Sequence, residues 1–121
     1  MSILANILVG LVAFLHLYFL IREMFLWDKP YGLKTFGHTR EEARASKVLA
    51  MNQGLYNGFL AAGLVWGLSL GVDGTAVKIF FLGCVVIAGV FGGVTAVRKI
   101  LFVQALPAAV ALVLVILSVN P

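Results

Sequence analysis

The stretch HLYFLIREMFLW, residues 16–27, sets His16, Arg22 and Glu23 inside an otherwise apolar run. His16, Glu23 and Trp27 are spaced seven and four residues apart, so on a helix they share one face. A carboxyl group drawn out of water near an imidazole suits general acid or base work, with Glu23 taking or giving the proton and His16 shuttling it. A second polar stretch, MNQGLYNGF, offers two i,i+4 pairs, Asn52 with Tyr56 and Gln53 with Asn57. The Tyr56 phenol can donate to a developing oxyanion, and the amides can hold a polar head group. Gln104, just before Pro107, adds another amide. Proton abstraction or isomerisation of a membrane-soluble substrate needs no more than His16, Glu23 and Tyr56. Asn52, Gln53, Asn57, Gln104 and Trp27 would then bind and position it. The same set would equally bind a ligand without chemistry.

The elements that must carry these residues follow from composition. The chain has 121 residues, enough for one domain; it is 62% hydrophobic, with a mean hydropathy of +1.07. Soluble domains average about 45–50% apolar residues, and a chain this small cannot bury the excess in its own core. A bilayer is the natural solvent for it. Spanning helices need about 20 mainly apolar residues. Four segments qualify, and with the extension described next the helices are expected at about 3–26, 40–72, 76–97 and 100–119. The expected fold is therefore all-α, an integral membrane four-helix bundle. Continuous apolar runs favour helices over a membrane barrel, whose strands alternate.

The second helix is expected to begin before its membrane run. Thr39 and Glu42 have the spacing of a capping box, and Glu41 and Glu42 complement the helix dipole in the first turn. Upstream, Pro30, Gly32 and Gly37 predict irregular backbone at head-group level. The start of the chain lacks a basic leader region and a small-residue cleavage site, so it reads as a retained first helix rather than a signal peptide.

Orientation follows from the basic residues. Lys29, Lys34, Arg40, Arg44 and Lys47 lie between the first two runs, Arg98 and Lys99 between the last two, and only Lys78 falls on the other side. That asymmetry puts the two basic loops in the cytoplasm and both termini outside, in a multi-pass protein of the cytoplasmic (inner) membrane. Every uncommon polar residue of the runs then falls toward the cytoplasmic side, with His16 about 15 Å deeper than Leu26 at ~1.5 Å per residue. An acid at mid-bilayer costs about 2.5–3.5 kcal/mol on insertion scales. An interhelical amide bond returns only about 0.6 kcal/mol on average. Stability alone would have placed leucine at most of these positions, which favours a cytoplasm-facing polar pocket.

Several functions are excluded or marked down. The basic residues form no stripe for nucleic acid. One intramembrane histidine and one acid are too few for a metal site, His38 being in the loop. Neither a serine nucleophile motif nor a phosphate loop is present. The lone Cys84 can form no intrachain disulfide and reads as a small buried hydrophobe. Arg22 reads as an interfacial anchor, and Arg40 and Arg44 could attract an anionic head group. A small oligomeric transporter or channel component would need polar lining out to the far face, which LAAGLVWGLSLG and AVALVLVILS do not supply. A structural membrane subunit, its polar cluster fixing helix register without catalysis, is the other alternative. Four thin helices predict a homo-oligomer, for which the G-x-x-x-G of Gly89 and Gly93 is the specific sequence signal.

HLYFLIREMFLW, MNQGLYNG and the late QALP together resemble a family of small bacterial inner-membrane proteins of unknown function. A looser similarity is to the membrane-associated eicosanoid and glutathione metabolism superfamily. Its members are four-helix bundles with outside termini and a long cytoplasmic first loop, and they form trimers that bind glutathione between subunits. That resemblance rests on Arg40, Arg44, Asn52 and Gln53, and implies a thiol ligand such as glutathione. The acid that usually follows the asparagine is absent here. The residues themselves show no cofactor.

Overall fold

The computed structural model describes residues 2–119. Among them every regular element is helical: α1 (Ser2–Met24), α2 (Pro30–Phe36), α3 (Arg40–Ser69), a 3-10 turn (Gly71–Gly74), α4 (Thr75–Thr95), a π-helical turn (Leu101–Ala105) and α5 (Leu106–Val119). Three stretches are long and apolar enough to cross a membrane: Ser2–Met24, Gly71–Thr95 and Leu101–Val119. The expected fourth span lies in α3, where Asn52, Gln53 and Asn57 dilute the apolar content, and it does not rank with those three. Large apolar side chains cover the surface, Phe14, Val72 and Val94 among them. An exposed apolar surface so extensive is unusual for a soluble monomer.

The chain forms two compact units, Leu15–Phe59 and a second made from described residues 2–14 and 60–119. The core of the second unit is built from small residues. Ala5, Val9 and Val12 of α1, Leu64 of α3, Leu82 and Val85 of α4, and Ala108, Ala111 and Val115 of α5 are buried. Their spacing of three and four along each helix makes one inward stripe per helix. Small side chains let helix backbones approach closely, and α4 and α5 show how closely. A Cβ at Gly89 would lie 2.6 Å from the backbone nitrogen of Ala105, and one at Gly93 would strike the Leu101 side chain. The G-x-x-x-G of α4 is thus consumed within the chain, against the turn that precedes α5, and does not serve as the oligomer signal the sequence suggested.

The last stretch is not a uniform α-helix. Pro107 has no N–H, and its ring clashes with the carbonyl four residues back in a regular helix. Immediately before it the backbone widens to π geometry, with the Leu106 N–H donating to the Leu101 carbonyl five residues earlier. Gln104 sits in this widened turn.

In the Leu15–Phe59 unit, the segment expected to be irregular contains α2. The residues read as breakers act instead as punctuation: Pro30 occupies the first helical position, where a missing N–H costs nothing. Gly37 closes the helix at φ 67, a left-handed conformation in which only glycine is unstrained. Gly32 is buried where a Cβ would overlap the Leu26 carbonyl oxygen. Two residues on, α3 starts with the capping box: the Thr39 N–H donates to Glu42 Oε1 at 2.8 Å, and the Glu42 N–H to Thr39 Oγ1 at 3.1 Å.

Candidate functional site

The site belongs to the Leu15–Phe59 unit, where the end of α1, α2 and the first half of α3 come together. Glu23 lies in the last turn of α1. On α3, Gly54 faces it without a side chain; a Cβ there would lie 3.2 Å from the Glu23 Cβ and closer still to Met24. That approach brings Asn57, one turn further along α3, within reach, and its Nδ2 donates to Glu23 Oε1 at 2.5 Å. Both residues are half-buried. A carboxylate accepts only while ionised and both accepts and donates when protonated, so an amide partner can serve either form.

His16 is also inside, 1% exposed, with its ring edge-on to Phe19 at 5.2 Å. Seven residues of helix separate it from Glu23, about 10 Å along the axis, beyond direct hydrogen bonding. The histidine and the acid share a face, as their spacing requires, but the acid's partner is Asn57.

Beside this pair lies an aromatic cluster that joins all three elements. Trp27 packs against Phe36 at 4.5 Å and His38 at 4.7 Å between ring centres. Its indole N–H donates to Ser46 Oγ at 3.0 Å, and Ser46 in turn donates to the Glu42 carbonyl at 2.7 Å. His38 Nε2 donates to the Trp27 carbonyl at 3.2 Å. The Arg22 guanidinium stands 4.9–5.2 Å from the ring centres of Phe36, Tyr18 and Phe19. Cation–π contacts of this kind are worth about 0.5–2 kcal/mol according to how dry they are. Tyr18 and Tyr31 hydrogen-bond through their hydroxyls. At the aqueous end, Lys47 Nζ pairs with Asp28 Oδ2 at 3.0 Å and holds that carboxyl below its usual range. The Thr39 N–H does the same for Glu42.

The other sequence candidates are placed differently. Asn52, Gln53 and Tyr56 are exposed, and of the four polar residues on this stretch of α3 Asn57 alone is half-buried. Asn52 turns its amide back along its own helix, Nδ2 donating to the Val48 carbonyl at 2.8 Å. Arg40 and Arg44 are exposed on the first turns of α3. Gln104 belongs to the other compact unit. Trp27 is within the unit but serves the cluster with Phe36, His38 and Ser46. Those three partners escaped sequence reasoning; their only signal was Phe36 and His38 flanking a glycine in a segment read as loop. Lys78, read as a topology charge, is buried in the other unit and donates to Asn6 Oδ1 at 3.0 Å.

Chemically, the arrangement offers one positioned carboxyl in a largely apolar setting, a cation cushioned by rings beside it, and a buried imidazole deeper along the same helix. Residues 10–116 match DUF1304, a family described as of unknown function, and the chain belongs to that family. It is similar to the uncharacterized protein YpaA of Lactococcus lactis subsp. lactis (strain IL1403), with 30% identity over 115 residues that cover 93% of this chain and 97% of that protein. No solved structure matches the chain.

Proposed function

We propose that this is a four-span protein of the cytoplasmic membrane, termini outside, whose Glu23–Asn57 pair forms the centre of a cytoplasm-facing site for a small lipophilic molecule with a polar head. The observation that carries this reading is the 2.5 Å bond from Asn57 to a carboxylate placed in a helix apolar enough to span. Acids in such helices usually face a bundle interior or a wet cavity and mark a functional path. Glu23 would accept or release the proton, His16 would relay it deeper along α1, and Arg22 would hold an anionic head group at the interface. The outer position of the termini is supported by the seven basic residues of the two inner loops, set against Lys78 alone.

A second reading has the same bond in its favour: Asn57 and Glu23 act as a clamp that fixes the register of α1 against α3. Native mass spectrometry of the protein released from nanodiscs, with and without added glutathione, separates the two. The site reading expects a small molecule retained by the natural chain and lost from Glu23→Gln, with folding unchanged. A chain that carries nothing, or a Glu23→Gln variant that retains the same molecule, leaves the clamp. Retention of glutathione would identify the ligand as a thiol, with Arg40 and Arg44 as its anchoring charges.

A further inference from the structure

We infer that a second copy of this chain packs along α3, with Asn52 of one copy against Asn52 of the next. The inference rests on α3 being the fourth span. Ala45, Val48, Asn52, Leu55 and Phe59 are all exposed, and their spacings of three, four, three and four are the heptad spacing of a helix–helix seam. The sequence continues it through Ala62, Trp66 and Ser69. Ala43, Ala50, Gly54 and Asn57 lie on another face and are buried or half-buried, so the inward and outward stripes of α3 are distinct.

Lipid is a poor occupant for this outward stripe. On the outward side of α1, Ile3, Leu4, Ile7, Leu11 and Phe14 are apolar and suit acyl chains, and the exposed amide of Asn6 has Lys78 of the same chain as its partner. The α3 stripe instead holds Asn52 in its middle, with Gln53 and Tyr56 beside it. An amide in hydrocarbon needs polar partners, and the bond to Val48 uses one of its two N–H groups. A second copy supplies the rest because an amide carries both donor and acceptor and is complementary to itself. All copies insert with the same topology, so a closed symmetric assembly has its axis along the membrane normal and its α3 helices parallel. Equivalent residues then meet at one level, where a seam asparagine fixes register. The charges agree. The exposed first turns of α3 carry Arg40, Glu41, Glu42 and Arg44, two of each sign, so neighbouring copies meet there without a net charge of one sign.

The test uses single cysteines in the full chain with Cys84→Ser, oxidised in native membranes. Asn52→Cys, and as a second position Leu55→Cys, should shift the chain from the monomer to the disulfide-linked dimer band on non-reducing gels. Phe14→Cys on the lipid face of α1 should stay monomeric. Linkage at 14 in place of 52 and 55, or a single-copy mass in nanodiscs, overturns the proposal. Labelling of Arg40→Cys and Ser69→Cys by an impermeant maleimide checks the span itself. If both label from one side, the four-span reading fails; if they label from opposite sides and 52 and 55 do not cross-link, the interface alone fails.

Discussion

Lys78 on α4 donates its ammonium to the side-chain oxygen of Asn6 on α1 at 3.0 Å while only 7% of the lysine is exposed. Removing the acceptor of a buried donor leaves that donor unsatisfied and typically costs about 1–3 kcal/mol, more for a charged one, whereas replacing both partners by apolar groups is often nearly neutral. Asn6→Leu should therefore lower the midpoint of thermal unfolding in detergent, and Asn6→Leu with Lys78→Met should recover it. A single variant with an unchanged midpoint would show that the ammonium finds water.

The contact of Gly89 with Ala105 predicts a sharp positional effect. A Cβ there would meet backbone, which cannot swing aside, and overpacking of this kind costs about 1–3 kcal/mol. Gly89→Ala should destabilise the chain by that order. Gly83→Ala, on the same helix with nothing within 4 Å of its Cβ, should be neutral or slightly stabilising. Unfolding of the two variants side by side in sodium dodecyl sulfate titrations reads the difference.

The connection between α1 and α3 should respond to acid. Asp28 and Glu42 both titrate below their ordinary values, because Lys47 and the Thr39 N–H favour the charged forms. A depressed folded value stabilises above the unfolded pKa and loses that contribution as pH falls through the folded one. The window lies below about pH 4, the ordinary range of these carboxyls. Trp27 emission in a Trp66→Phe chain should change across that window, and Asp28→Asn should remove part of the step. A flat profile from pH 6 to 3 would mean that neither bond contributes.

Gly37→Ala should loosen the same connection. The residue holds φ 67, and a side chain there costs about 1–2 kcal/mol. Faster proteolytic cleavage between α2 and α3, with the Gly89 contact undisturbed, is the expected outcome.

Features decided within a few residues were legible in the sequence. The Thr39–Glu42 box is one, since its two bonds need only a spacing of three. The pair of amide faces on α3 was legible too, but not which one turns inward. Asn52 with Tyr56 and Gln53 with Asn57 are equivalent as spacings, and Asn57 alone of the four turns inward, one turn from Gly54, whose missing side chain lets Met24 and Glu23 approach. The same ambiguity hid the partner of Gly89: a small-residue motif shows that something packs closely, and nothing in it distinguishes α5 from a second chain. Pro30 and Gly37 misled for a different reason, because residues that break a helix in its interior are also those that begin and end one.

The widened turn at Leu101–Ala105 also sets a phase. A π turn accommodates one residue more than a regular helix of equal length, so everything after it is rotated by about 100° from the positions a continuous helix would give. A helical wheel drawn from Ile100 onward therefore misassigns the sides of α5. A homologue lacking one residue before the proline could keep the inward row of Ala108, Ala111 and Val115 unchanged, absorbing the deletion as a simple tightening of this single turn.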